Sequence, residues 1–415
     1  MSTPHNTAPP GEVDVAVIGA GPAGSTLAAL LAARGRRVLL VDGRPQGRSK
    51  CCGGCASAAA LQGWRDAGLE AEVARVAAGA TTHWSAVGPR GRMVVRLDDA
   101  AGAVLPRGAL DAALVAAAAA RGACVVRGSA ALLPEGGIRL RTSSAGPRAA
   151  ADDGARRISA ALVVGADGVG SRVARTAGLG DPRPGRRVGL SWRRRLDEAG
   201  DAAPDAGEIR MHLAPFGYLG AVRDGAGVHV GALLAGRGAG ASPVEGALRA
   251  FARLHPGAAT LLPQDLRAAG ASAAGPMPWR PPVVADARVA LVGDAAGYAE
   301  PFTGEGMAWA VETAHLLAAH ALRGPWDANA AAAYGRALLA RRERRHLRCS
   351  VLAAAASMPR LFLGAGALLG AVPGVRRRMV RVVVRGGAAA GAAVGPAGRG
   401  RASRSGSHAN AGSGA

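Results

Sequence analysis

Three groups of residues in this chain have the types and spacing to do chemistry. The first is Gly19-Ala20-Gly21-Pro22-Ala23-Gly24, a G-x-G-x-x-G run. Gly19 permits a tight turn, Gly21 lets backbone approach a pyrophosphate with no Cβ in the way, and Gly24 lets a helix pack closely on a strand. Asp42 stands roughly 20 residues further on, where an acid accepts hydrogen bonds from ribose hydroxyls. The second group is Cys51, Cys52 and Cys55, separated by Gly53-Gly54. Zinc would require another close pair, and only the distant Cys124 and Cys349 remain. Cys52-x-x-Cys55 also has the spacing of thiol exchange. The third group is Asp294, which follows an apolar run, with Gly304-Glu305-Gly306-Met307 opening a helical stretch. A helix N-terminus there would stabilise negative charge on a bound group.

Glycine is so abundant, 62 of 415 residues, that the G-x-G-x-x-G run means little without its surroundings. Those surroundings are specific. An apolar run over 13–18 enters it, Pro22–Ala33 has helical apolar spacing, and Val38–Val41 closes on Asp42, which makes a βαβ unit. The spacing predicts helices over Ala58–Ala78, Leu105–Arg121 and Gly306–Ala321. It predicts strands over Cys124–Leu132, Ala161–Val164 and Ala287–Val292, and a hairpin over His83–Leu97. Alternating strands over Val188–Arg194, Glu208–Leu213, Tyr218–Val222 and Val228–Leu234 predict an inserted antiparallel sheet. The expected organisation is a discontinuous nucleotide-binding domain (1–80, 100–180 and 276–345), a substrate domain (81–99 and 181–275), and a terminal region (346–415) of short helices followed by a disordered basic tail.

Composition excludes several classes. The formal charge of +22 suggests nucleic acid, but aromatic residues are only 3%, too few for base-stacking platforms, so no nucleic-acid partner is expected. Lys50 is the only lysine among 51 basic residues, and 14 arginines against one glutamate lie beyond position 340. No basic stretch leads into an apolar segment at the N-terminus, and no apolar run reaches the roughly 18 to 20 residues of a membrane span, so the sequence reads as cytoplasmic.

Further segments carry a family likeness. Leu105-Pro106-Arg107, Gly165-Ala166-Asp167-Gly168 with Ser171 and Arg172, and Leu291-Val292-Gly293-Asp294-Ala295-Ala296-Gly297 with Pro301 and Gly304-Glu305-Gly306-Met307 follow the βαβ unit in order. In order and spacing the chain resembles the flavoprotein monooxygenase and geranylgeranyl reductase superfamily. That likeness implies an α/β, glutathione-reductase-type FAD domain with an inserted antiparallel sheet and C-terminal helices, binding FAD and taking electrons transiently from NAD(P)H. It implies cofactor contacts from Gly19, Gly21, Pro22, Ala23, Gly24, Asp42, Gly43, Arg44, Cys52, Gly53, Arg107, Ala130, Asp167, Gly168, Asp294, Gly304, Glu305, Gly306 and Met307. Arg107 matches an arginine that reaches FAD, and Cys52-Gly53-Gly54 is similar to the Cys-Gly-Gly of the reductase branch.

The inserted sheet should cover the flavin and supply the pocket for a largely apolar small molecule. Cys52, His212 and Tyr218 are the catalytic candidates, with His229, and more distantly Trp192 and His83, as further pocket candidates. The resemblance implies either hydroxylation with O2, slightly favoured, or reduction of a carbon–carbon double bond. Glu305 and the Cys-Gly-Gly loop lean toward the reductase; Phe216-Gly217-Tyr218-Leu219-Gly220, which lacks the reductase tryptophan, leans away, and a halogenase Trp-x-Trp motif is absent. For the cysteines three roles stay open: small residues shaping the loop, a thiol beside the flavin, or a redox pair of Cys52 and Cys55. A non-enzymatic alternative is a lipid tether through Arg376, Arg377, Arg378, Arg381 and Arg385 around Val382–Val384, against a plain solvated tail.

Overall fold

The computed structural model describes residues 9–43, 50–89, 91–142, 155–180, 187–235, 243–299, 302 and 304–370. Arg44, Pro301 and the tail arginines from Arg376 onward lie outside those residues.

Five parallel strands form the first sheet in the spatial order Cys124–Leu132, Val38–Asp42, Glu12–Ile18, Ala155–Gly165 and Val289–Leu291. Val38–Asp42 is buried along its whole length, as the uninterrupted apolar run of a strand covered on both faces requires. Ile138–Thr142 pairs antiparallel with the far ends of Cys124–Leu132 and Ala155–Gly165. Helix Pro22–Ala32 packs between helices Arg107–Ala120 and Gly306–Ala321, so it is apolar all round rather than on one stripe. Gly19, Asp42, Ala166 and Asp294 all stand at or just past the carboxyl ends of these strands, where ligands of open α/β sheets bind.

The second sheet has seven strands in the order Ser272–Met277, Arg187–Arg194, Gly227–Ala235, Gly217–Asp224, Glu208–Ala214, His83–Gly88 and Gly91–Arg96. It is antiparallel except where Glu208–Ala214 and His83–Gly88 run parallel. One face packs on helix Pro243–Leu254 through Phe251 and Leu248, and the other gathers Trp84, Met211, Leu213, Tyr218 and Phe302.

Three expectations change. Ala58–Ala78 is two helices, Ala58–Asp66 and Glu70–Val76, because Gly68 adopts φ +67° between them. Ala161–Val164 is the end of an eleven-residue strand. Helix Ala328–Ala356 runs unbroken for 29 residues across the expected boundary at 345, where short helices were anticipated. Two of its arginines are buried and bonded: Arg342 donates to the Pro281 carbonyl at 2.6 Å, and Arg345 meets Glu305 at 3.4 Å. Among the described residues no single helix is long and apolar enough to cross a membrane.

Candidate active site

A cavity of about 790 Å³ lies between the carboxyl edge of the parallel sheet and the inner face of the seven-stranded sheet. Gly19, Gly21, Pro22, Ala23, Asp42, Gly43, Cys52, Gly53, Arg107, Ala130, Asp167, Gly168, Asp294, Gly304, Gly306, Met307 and Tyr218 all line it. Segments far apart in sequence are thus brought to one cavity.

The three glycines of the first loop sit in three different surroundings. Gly19 takes φ +113°, and a Cβ there would strike the Ala166 carbonyl. A Cβ at Gly24 would strike the Gly19 carbonyl, so Gly24 seats the helix on the strand and does not line the cavity. A Cβ at Gly21 would meet nothing within 4 Å; it would project into the cavity. Helix Pro22–Ala32 has Gly21 at its N-cap, no side-chain cap and no acid in its first turn, so its N-terminal N–H groups and partial positive charge are open to an anion. Asp42 ends its strand 8% exposed at the same wall.

Opposite, the turn Gly293–Ala296 presents Asp294, whose carboxylate meets Lys50 Nζ at 3.3 Å. The helix Gly306–Ala321 begins at the cavity with no side-chain cap and no acid in its first turn. Its N-cap residue Glu305 does not line the cavity: the carboxylate is buried against Arg345, whose guanidinium lies 5.4 Å from the Trp309 ring centre. Asp167 reaches the wall, but its carboxylate holds the local turn, accepting from Ser171 Oγ at 2.5 Å and from the Arg172 and Val173 N–H groups. Arg107 is 8% exposed and donates to Asp111 at 3.1 Å; its Nε is buried with no hydrogen-bond partner. Burial works against that charge, yet Asp111 and Cys52 beside it hold the guanidinium above its ordinary pKa.

The cysteine loop lies flat on the inserted sheet. The Cys52 N–H donates to Ser191 Oγ at 3.2 Å, and Cys52 Sγ accepts from the Gly54 N–H at 3.5 Å. Gly54 has φ +79°, and a Cβ on it would stand 2.9 Å from the His229 Cβ; one on Gly231 would stand 3.2 Å from the Gly53 Cα. Only glycines allow that approach. Burial pushes the Cys51 thiol up to about 11 and the Cys55 thiol up to about 12, so both are neutral and weakly nucleophilic near pH 7. Among the described residues, no group of three or more His, Cys, Asp or Glu side chains is placed to hold a metal ion.

His212 is corrected as a pocket residue. It alternates with Met211, which lines the cavity, and so faces the other side of the sheet, 5.4 Å from the His255 ring. Burial and its cationic neighbours push the imidazole down to about 3. His229 lies behind the cysteine loop, bonded to Asp224 at 2.7 Å, and does not line the cavity; Trp192 donates to the Leu261 carbonyl on the outer face. Lining residues that sequence reasoning passed over are Lys50, Trp84, Met211, Tyr298 and Phe302. Lys50 carried a signal, since it is the one lysine in a chain that otherwise uses arginine. The apolar end is aromatic: the Phe302 ring lies 5.1 Å from Tyr218 and 6.0 Å from Trp84.

FAD fits these residues. Gly21 leaves open the room a Cβ would fill, Arg107 Nε is a buried donor without an acceptor, and two uncapped helix N-termini face one chamber. The fold and this site define an FAD-dependent oxidoreductase, and the FAD binding domain family matches residues 12–199. The chain belongs to the family of the digeranylgeranylglycerophospholipid reductases. It is 30% identical over 310 residues to reductase 2 of Methanopyrus kandleri, covering 71% of this chain and 73% of that one. It is 32% identical over 308 residues to the enzyme of Methanothrix thermoacetophila, with the same coverage. Among solved structures, a geranylgeranyl bacteriochlorophyll reductase-like protein of Thermoplasma acidophilum superposes with a TM-score of 0.66 at 25% identity, over 84% of this chain and 88% of that one. A 2-methyl-3-hydroxypyridine-5-carboxylic acid oxygenase shares the fold, with a TM-score of 0.65 at 19% identity, over 84% and 92%.

Proposed function

We propose that this enzyme reduces carbon–carbon double bonds in the polyprenyl chain of a lipid-like substrate, with NAD(P)H as the transient electron donor. The observation that carries the reading is one continuous cavity, which joins a glycine-walled polar end to an apolar end of Trp84, Ile209, Met211, Tyr218, Met277 and Phe302. Such an end suits an unsaturated hydrocarbon chain and offers little to a small polar aromatic acid. Relatives named for reducing geranylgeranyl lipids support the same choice between the two chemistries that the sequence left open.

Bound FAD supplies the two-electron chemistry that side chains lack. The chain's own residues bind, orient and protonate. The N-terminus of helix Pro22–Ala32 and the loop at Gly21 would hold the pyrophosphate, Asp42 would accept hydrogen bonds from ribose hydroxyls, and Arg107 Nε would donate to the cofactor. Asp294, held by Lys50, would accept hydrogen bonds from ribityl hydroxyls, and the N-terminus of helix Gly306–Ala321 would stabilise negative charge there. Saturating a double bond takes up a hydride and a proton; Cys52 Sγ, on the wall and anchored through Ser191 and Gly54, is the proton donor. Cys55, pushed up to about 12, is a poor partner for thiol exchange, which weighs against a redox pair.

Anaerobic incubation of the FAD-loaded enzyme with NADPH and a geranylgeranyl glycerophospholipid tests this, read by mass spectrometry. Product that gains hydrogens in pairs and no oxygen is expected. A product formed only after O2 is admitted, carrying an oxygen atom, would overturn it.

A further inference from the structure

Six large apolar side chains stand exposed among the described residues, and four of them fall between positions 347 and 361: Leu347 (68%), Val351 (60%), Met358 (51%) and Leu361 (67%). Leu347, Val351, Ala354 and Met358 recur at helical spacing, so they share one outward face of helix Ala328–Ala356 and the turn that follows. The opposite face buries Cys349, Ala353 and Ala356, which accounts for the apolar inner stripe and leaves the outer one without a partner inside the fold. Helix Pro359–Gly370 then departs at 102° and carries Leu361 at the elbow. Arg344 and Arg360 are exposed at either end of this patch, with Arg348 half-buried beside it. No acidic residue follows Glu343, whereas the sequence continues with Arg376, Arg377, Arg378, Arg381 and Arg385.

The geometry points to this elbow as a docking surface for an anionic lipid bilayer. An apolar stripe rimmed by Arg344, Arg348 and Arg360, where arginines outnumber the neighbouring Glu312 and Glu343, matches the acyl boundary and the negative headgroups of such a surface. Glu343, exposed beside Arg344, already pairs with Arg342 at 3.0 Å, so the rim of the patch keeps a net positive charge that disfavours packing against a second copy of itself. The inner side of the elbow packs behind the apolar end of the cavity: the Phe362 ring lies 6.4 Å from Trp84 and 6.2 Å from Phe302, both cavity-lining. Docking therefore sets that end of the chamber against the lipid. The docking itself does not depend on the reductase reading.

The test is co-sedimentation of the full FAD-loaded chain with vesicles of phosphatidylglycerol and phosphatidylcholine in equal parts, against vesicles of phosphatidylcholine alone. Neither vesicle contains a polyprenyl chain, so the outcome is separate from catalysis. The wild type should sediment with the anionic vesicles and far less with the neutral ones. Leu347→Ser/Val351→Ser/Leu361→Ser, its flavin content confirming the fold, should lose about a hundredfold in partitioning. Arg344→Gln/Arg360→Gln should lose about tenfold on anionic vesicles only. Wild type that stays in solution, or a triple variant that binds as well as wild type, would overturn the proposal. So would a wild-type dimer in vesicle-free buffer that the triple substitution splits, since the stripe would then be a self-association face.

Discussion

Substituting Gly21 with valine separates ligand contact from folding, because the two neighbouring glycines of the same loop answer to different constraints. Gly21 has φ −79° and ψ −174°, extended backbone that a β-branched residue adopts readily, and its Cβ would touch no protein atom. Loss of a glycine N-cap costs about 0.5–1 kcal/mol of apoprotein stability. The isopropyl group would occupy the room left for a pyrophosphate, at about 1–3 kcal/mol for overpacking, which is a roughly fivefold to over hundredfold weaker FAD affinity. Gly24→Ala should behave in the opposite way. Its methyl would strike the Gly19 carbonyl and stand 3.1 Å from the Ala166 Cβ, so the apoprotein itself should lose about 3 kcal/mol. Flavin fluorescence quenching on titration into apoprotein gives the affinity, and thermal unfolding without flavin gives the stability. A Gly21→Val protein that binds FAD as tightly as wild type would refute the assignment of this loop, and a Gly24→Ala apoprotein of unchanged stability would refute the packing argument.

Other outcomes follow from single contacts. Asp294→Ala should weaken FAD retention about tenfold or more, by removing a carboxylate at the cavity wall and leaving Lys50 without it; unchanged flavin occupancy after extensive dialysis would contradict this. Cys52→Ala should slow turnover by about a hundredfold with flavin content unchanged, whereas Cys55→Ser should leave turnover within about twofold; the reverse pattern in steady-state assays would favour thiol exchange. Burial opposes the charge of Glu208, yet Arg210, Ser85 and the Asp205 N–H hold its carboxyl down to about 2 from 4.5. A depressed carboxyl stabilises the fold above pH 4.5 and loses that contribution as pH falls toward 2, so Glu208→Gln should remove roughly 2 kcal/mol at neutral pH, allowing for solvent screening, and flatten the acid limb of a stability-versus-pH curve. An unchanged acid limb would show that Arg92 and Arg210 do not stabilise that charge.

The nucleotide half was legible because its physics is local. A strand, a glycine turn and a helix N-terminus follow one another in sequence, so Gly19, Gly21 and Asp42 could be placed from residue types alone. What escaped depended on pairings across the chain. Glu305 looks like a cofactor contact beside Gly304 and Gly306, but Arg345, forty residues on, turns its carboxylate inward. The same ion pair, together with the bonds of Arg342, lets helix Ala328–Ala356 absorb an arginine-rich stretch that reads as an interruption of the apolar period. His212 was readable in principle, since period-two alternation sets it opposite Met211; which face meets the cavity is decided by the sheet's packing on helix Pro243–Leu254. Trp84 enters the site only because His83–Gly88 pairs with Glu208–Ala214 across more than a hundred residues, and no local pattern encodes that register.

The visible spectrum of the purified protein decides whether this chain carries a flavin. Flavin bands should accompany the folded chain at close to one FAD per polypeptide, and they should fade in Gly21→Val while the fold persists. A well-folded wild-type sample that is colourless and takes up no added FAD would contradict the account.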